Sequence, residues 1–283
     1  MTISPKPLGS SELMRRLQLP VIWIILRLYL IPHRLWRQPP RRHGRHESNR
    51  VELPRFRRML HLARLISSTS AQVILVSETR KSKTKSSSLI NNFSLSNAFI
   101  VPADGLSGGL WLLWKDDYDI DDDYDIDVKK ASPNYILATA TYKPFSLAVN
   151  LVCVYGDPHH SRTDSIWQAI HHFVVQYADM PTLCMGDLNN VMNECEKLGP
   201  NPVNRNRMRN FCNLVKQCGF IDLGYNGPAY TWTNKRFDSY PTFKRLDRCL
   251  ANAEWCASFP TTTVYHMPMM HSDHAPILTM LQS

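Results

Sequence analysis

The chain has 283 residues, 43% of them hydrophobic, a formal net charge of +9 and seven cysteines. That length suits one large core, or one domain with an appendage. The cysteines are odd in number, never spaced CxxC and often set in apolar runs such as "NLVCVYG" and "PTLCMGD". This excludes a disulfide framework or a zinc site and reads as buried thiols in a reducing compartment. The charge is uneven: residues 1–65 carry 14 Lys/Arg against 3 Asp/Glu, whereas eight acids crowd into "DDYDIDDDYDID" (Asp116 to Asp127). A basic arm suits a polyanionic partner or is simply unstructured, and charge alone does not decide between them.

In chain order, residues 1–50 differ from the rest. "LPVIWIILRLYLIP" is apolar but shorter than the roughly 20 residues of a membrane span. It is followed by "PHRLWRQPPRRHGRH", without a small-residue cleavage site. We read 1–50 as a basic, poorly ordered extension that packs little against the body; an Arg-rich organelle presequence is the other reading. No stable membrane association is expected. Leu53, Phe56, Met59, Leu60, Ala63 and Ile66 then recur at helical spacing. "AQVILVSE" predicts a buried strand, "KSKTKSSS" a polar loop, "GGLWLLW" a strand, and the acidic tract a solvated loop. "NYILATATY" and "FSLAVNLVCVYG" predict a hairpin. Ile166, Ile170, Phe173, Val174 and Tyr177 mark a helix, as do Met208, Phe211, Cys212, Val215 and Cys218. "MPTLCMGDLN", "AYTWTN", "TFKRLDRCL", "TTTVYHM" and "APILTML" read as strands. Interleaved strands and helices predict one α/β (α+β) domain over 51–283.

Four carboxylates stand where strands end or begin: Glu78 after "VILVS", Asp187 in "TLCMGD", Asp247 in "FKRLDRCL" and Asp273 in "HSDHAPIL". Each alone could cap a turn or pair with an arginine; Arg245 and Arg248 flank Asp247. Together, with His274 beside Asp273, they point to a shared rim. Asn189 follows Asp187 by two, on the same face of an extended chain. Oxygen-rich ligands suit Mg²⁺ or Mn²⁺, and a His held by a carboxylate suits activation of water. The combination predicts metal-assisted hydrolysis of a phosphate ester.

The ordered motifs "VSETR", "VYGDP", "GDLNNV", "YTWTN", "KRLDRCL" and "SDHAPI" resemble the endonuclease/exonuclease/phosphatase superfamily. Within it they are most similar to the apurinic-like endonuclease domain of plant non-LTR (LINE-type) retrotransposons. The resemblance covers about residues 52–283. It implies a four-layered sandwich of two mixed β-sheets flanked by helices and an endonuclease that acts on DNA; a monomer inside the cell, in the nucleus, is expected. By the resemblance, Glu78 and Asp273 serve the metal, Mg²⁺ or Mn²⁺. Tyr155, Asp187, Asn189, Asp247 and His274 form the catalytic set: Tyr155 on the scissile phosphate, Asp187 and Asn189 on the attacking water, Asp247 orienting His274. Trp232, Arg236, Arg205 and Arg80 would meet the nucleic acid; Trp232 serves equally well as a core aromatic.

Two features depart from the pattern. The family's first strand, "WNxRG", supplies a metal-side Asn, and no such segment precedes "LPRFRRMLHLARLI". The first strand is therefore expected to be missing or degenerate, and the chain to be a fragment or relic. The acidic tract is foreign to the pattern as well. Three functions stay open: a Mg²⁺-dependent nuclease or degenerate copy of one, a phosphomonoesterase of the same superfamily, and a non-catalytic nucleic-acid-binding relic.

Overall fold

Alternation along Val73–Ser77 sends Val73 and Leu75 to one face of a strand and Ile74 and Val76 to the other, and all four are buried. A strand that is apolar on both sides belongs in the middle of a covered sheet. The computed structural model describes residues 22–27, 62–69, 71–91, 95, 97–105, 108–115, 124–143, 146–237, 239–270 and 272–281, with backbone alone at 22–27 and 124. The start of the predicted first helix (53–61), most of the basic arm and 116–123 of the acidic tract lie outside these residues.

One sheet contains β1 (Ile22–Arg27), β2 (Val73–Ser77), β3 (Asn97–Val101), β4 (Leu110–Trp114), β14 (Thr263–His266) and β15 (Ile277–Met280), in the order β14-β15-β1-β2-β4-β3. The other contains β5 (Tyr124–Ser132), β6 (Tyr135–Tyr142), β7 (Leu147–Tyr155), β8 (Thr182–Asp187), β10 (Ile221–Asp222) and β13 (Asp247–Ala251), in the order β10-β13-β8-β7-β6-β5. Each sheet is mixed: β1 runs parallel to β2 and β7 parallel to β8, with the remaining pairs antiparallel. β9 (Lys197–Leu198), β11 (Trp232–Thr233) and β12 (Phe243–Lys244) form a small ribbon.

Three apolar layers glue the sandwich. Between the sheets lie Val73, Leu75, Leu112, Ile136, Leu151, Met185 and Ile277. Outside the first sheet, Ile74, Val76 and Trp111 pack with Leu62 and Ile66 of helix α1 (residues 62–69) and Ile90 of α2 (Lys83–Ile90). Outside the second, Val152, Val154 and Cys184 pack under α3 (Thr163–Gln176) and α4 (Arg205–Gln217) through Trp167, Ile170 and Phe211. Each such side chain is worth about 1.5–3 kcal/mol when fully buried. α5 (Ala253–Ser258) plugs one end of the inner core with Trp255. None of the described helices is long and apolar enough to cross a membrane.

Four expectations are corrected. The first strand is not missing: "IWIILR", assigned to the loose extension, is β1, with Ile22 opposite Met280 and Trp23 opposite Val73. β1 lies between β15 and β2 inside the sheet, and a strand in such a place reads as an unbroken apolar run rather than an alternation. It carries no Asn, so the place expected for "WNxRG" is filled by a strand without that motif. "KSKTKSSS" contributes to α2, because Ser86 turns inward and its Oγ accepts the Trp111 indole N–H at 3.0 Å. The end of the acidic tract is not loop but edge strand β5, with Ile126 turned to the core and exposed Asp125 and Asp127 facing out. Outward charge on an edge strand discourages pairing with another chain. Finally, of the seven thiols only Cys153, Cys184, Cys218 and Cys249 are buried, and Cys195 is exposed.

Candidate active site

The registers bring the strand ends together. Tyr155 closes β7 opposite Asp187, which closes the parallel β8. Asp187 in turn faces Asp247, the first residue of the antiparallel β13. β2 ends at Ser77, and Glu78 turns off it with φ 51°. Trp232 of β11 forms a bridge to His274, just ahead of β15.

The side chains then link in sequence. The Tyr155 hydroxyl donates to Glu78 Oε1, and the Arg80 guanidinium lies 3.3 Å from Glu78 Oε2. Asp187 Oδ1 accepts the Asn189 backbone N–H at 2.9 Å. His274 Nδ1 meets Asp247 Oδ2 at 2.7 Å, and its Nε2 stands 3.9 Å from Asp187 Oδ2. Trp232 packs edge-on against the His274 ring at 6.5 Å between centroids and donates its indole N–H to Asp273 Oδ2 at 3.3 Å. Asp187, Asp247 and His274 are all at most 2% exposed.

The structure thus gathers Glu78, Tyr155, Asp187, Asn189, Asp247, Asp273, His274 and Trp232. Two details differ from the residue-by-residue expectation. The Tyr155 hydroxyl is directed at Glu78, where a phosphate contact was expected. The Asn189 amide donates to the Gly156 carbonyl at 2.6 Å, which leaves its other N–H and Oδ1 for a ligand. Among the expected nucleic-acid contacts, Arg80 sits on the Glu78 carboxylate. Arg205 is exposed and paired with Glu194 at 2.5 Å. Arg236 is exposed on the loop after β11.

Asp247 does not pair with its neighbouring arginines. Arg245 and Arg248, both buried, instead reach the half-buried Glu196 and Asp222 in a four-residue network with N–O distances of 2.5–3.1 Å. Burial alone would raise the Glu196 and Asp222 carboxyls; the arginines hold both below their ordinary range. That leaves the Asp247 carboxylate for His274.

Sequence reading missed the residue that sets Asp247 in place. Thr231, fully buried, accepts on its Oγ1 the N–H groups of Leu246 (2.9 Å) and Asp247 (3.0 Å). Its carbonyl takes the N–H of Ala275 at 2.7 Å. One side chain therefore ties the Asp247 strand to the His274 segment; the signal was the Thr of "YTWTN". Gly186 is a second such residue: φ is 145°, and a Cβ there would strike the Val154 carbonyl oxygen. Glycine lets β8 approach β7 closely enough to set Asp187 beside Tyr155.

A divalent cation fits this donor set. Asp273 Oδ1 is buried without a hydrogen-bond partner among the described residues, which is costly for a carboxylate unless a cation meets it. The ligand atoms of Asp187, Asp247 and His274 also lie within 4.8 Å of one another, a second group that could hold an ion.

No protein-family model matches the chain, and no curated protein sequence does. Solved structures do. An AP endonuclease from Leishmania major aligns with TM-score 0.69 and 12% identity over 93% of this chain and 88% of its own. The endonuclease domain of TRAS1, a telomere-specific non-LTR retrotransposon, gives 0.62 and 13% over 93% and 99%. The 3′ phosphatase NExo from Neisseria, bound to a product DNA hairpin, gives 0.60 and 14% over 93% and 100%. A four-layered sandwich with acids at one rim defines the class. More narrowly, the fold is that of the endonuclease/exonuclease/phosphatase superfamily.

Proposed function

We propose that this chain hydrolyses phosphodiester bonds in DNA with a divalent metal, Mg²⁺ or Mn²⁺. The observation that carries the reading is the buried arrangement of Asp247, His274 and Asp187. Asp247 fixes the imidazole through Nδ1, so Nε2 is presented to the rim. The 3.9 Å between Nε2 and Asp187 Oδ2 admits one oxygen at hydrogen-bond distance, about 2.8 Å, from both. That oxygen is a substrate water or a non-bridging phosphate oxygen. Asp187, oriented by the Asn189 N–H, accepts the proton of the attacking water. His274 faces the charge that builds on the phosphate. A metal held by Glu78 and Asp273 would polarise the phosphoryl oxygen. Burial of the carboxylates and imidazole preorganises them, so little reorganisation is left for the reaction.

DNA as substrate is supported by the rim. Lys244 lies 5.1 Å over the Trp232 ring. The following loop exposes Phe237 and Tyr240, 64% and 69% accessible, near Lys235 and Arg236. Cations interleaved with exposed aromatics suit a nucleic-acid backbone and its bases. Two solved neighbours are complexes with DNA product, which supports the same choice.

The test is nicking of supercoiled plasmid by the whole chain in Mg²⁺, in Mn²⁺ and in EDTA, beside Asp187→Ala. The expected result is metal-dependent nicking that the variant loses. A parent protein that binds DNA without cutting in either metal would replace the hydrolase by a non-catalytic binder. Phosphate release from a nicked 3′-phosphoryl substrate, with no cutting of intact plasmid, would make it a phosphomonoesterase.

A further inference from the structure

Beside Asn189 lies a cavity of about 160 Å³ whose polar wall is basic and amide side chains, closed on its other sides by Val191, Pro202, Val203, Met208 and Leu246. Four basic side chains line it (His160, Lys197, Arg207 and Lys244), together with the amides of Asn189 and Asn190. They come from four separate places: the turn after β7, β9, the first turn of α4, and β12. Asn189 also contacts Asp187 through its N–H, and Lys244 covers Trp232, which packs on His274. The cavity therefore opens directly next to the proposed reaction centre.

Its cations are not matched by carboxylates at ion-pair distance. Among the described residues, Lys197 donates only to the Pro202 carbonyl, at 3.1 Å, and no carboxylate pairs with Lys197, Arg207 or Lys244. A few residues away the protein pairs Arg245 and Arg248 with two acids. Here burial, then Lys197 and Arg207, push the Lys244 ammonium below its ordinary range. His160 adds a buried Nδ1 without a hydrogen-bond partner among the described residues. It is held in the left-handed region at φ 62°, where a non-glycine residue costs of order 1 kcal/mol or more. Burial, first, and Arg207, second, drive its pKa down to about 4, so it is a neutral imidazole at pH 7. Unpaired cations facing one another destabilise the fold unless an anion joins them. No Phe, Tyr or Trp lines the cavity, so a base finds no ring to stack on.

We propose that this cavity is a second anion site, which holds the phosphate adjacent to the scissile one, so that the preferred substrate is a strand with two consecutive charged phosphates. The inference rests on the phosphodiesterase reading for the identity of the first phosphate. Arg207 and Lys197 supply charge-assisted hydrogen bonds to the second. Lys244, between the cavity and Trp232, neutralises both phosphates. The neutral His160 and the Asn189 amide offer N–H groups to its oxygens. The site thus selects an internal linkage over an isolated phosphoester.

The experiment measures binding in EDTA, where nothing is cut. Three thymidine trimers are titrated into the whole chain by calorimetry: one with two phosphodiester linkages, and two in which either linkage in turn is an uncharged methylphosphonate. The wild-type chain should bind the fully charged trimer about tenfold more tightly than the methylphosphonate trimer that leaves the cavity unfilled. In Lys197→Gln/Arg207→Gln that preference should fall to within twofold, with affinity for that methylphosphonate trimer unchanged. The salt slope for the charged trimer should drop by about 0.7 for each phosphate that the variant no longer neutralises. No preference in the wild type would overturn the proposal, and so would a variant that weakens all three trimers equally, the mark of a diffuse basic surface. Because cleavage is not read, a chain that fails to nick plasmid yet keeps the preference loses the hydrolase reading and retains the anion site.

Discussion

Thr231→Val tests how the site is held. Valine copies the shape of threonine but cannot accept the N–H groups of Leu246 and Asp247, 2.9 and 3.0 Å from Oγ1. Both amides are buried, and a buried donor left without an acceptor costs about 1–3 kcal/mol. The new methyl group returns about 0.8 kcal/mol of burial. The net loss is then roughly 1–5 kcal/mol, centred near 3. Thr231→Ser keeps the hydroxyl and removes one methyl, for about 1 kcal/mol. Urea unfolding of the three proteins should rank them wild type, Ser, Val, and plasmid nicking should follow the same order, because the relaxed amide is that of Asp247. Valine equal to or more stable than serine would refute the assignment of Oγ1 as the tie.

Asp247→Asn should leave the urea midpoint nearly unchanged while lowering nicking by about 10²-fold or more; equal activity would remove Asp247 as the orienting group. Arg248→Met strands Glu196 and Asp222 with one arginine and should cost about 3–5 kcal/mol, a deficit that shrinks below about pH 5 as those carboxyls protonate; a loss below about 1 kcal/mol would show the network idle. His160 has a folded pKa near 4 against an ordinary 6.5, so the unfolded chain takes up its proton first. Its contribution is complete above pH 6.5 and is lost as pH falls to about 4. An NMR titration should place its ring midpoint near 4, and His160→Gln should flatten stability across that window; a midpoint at the ordinary value would contradict the burial beside Arg207.

What the sequence disclosed and hid follows from range. Glu78, Asp187 and Asp247 each end or open a strand, and short-range alternation exposes that. His274 was legible through its neighbours in "SDHAP". The partner of Tyr155 was not, because Glu78 lies on another sheet and no local pattern records a contact between sheets. The pairing of Arg245 and Arg248 with Glu196 and Asp222 was hidden likewise, so the local sequence offers Asp247 arginine partners that it lacks in the fold. The cavity draws His160, Lys197, Arg207 and Lys244 from four places in the chain, each an ordinary polar side chain by itself. Arg205 and Arg207 looked alike in "NRNRMRN"; both are exposed, and helix phase sets only Arg207 at the cavity wall. β1 failed for the opposite reason, its signal being strong but shared with other apolar segments.

The placement of β1 sets a timetable for synthesis. Of the described strands β1 leaves the ribosome ahead of the others, yet one of its two partners, β15, leaves after them, and Ile22 meets Met280. At roughly 5–20 residues per second the interval is on the order of tens of seconds. Throughout it, an apolar strand can dock on β2 but keeps one bare edge. Such an edge is a template for another nascent chain, so polysomes translating this message are where aggregation should start. A chaperone that shields extended apolar segments should raise the soluble yield, and a chain stopped before residue 277 should gain most from it.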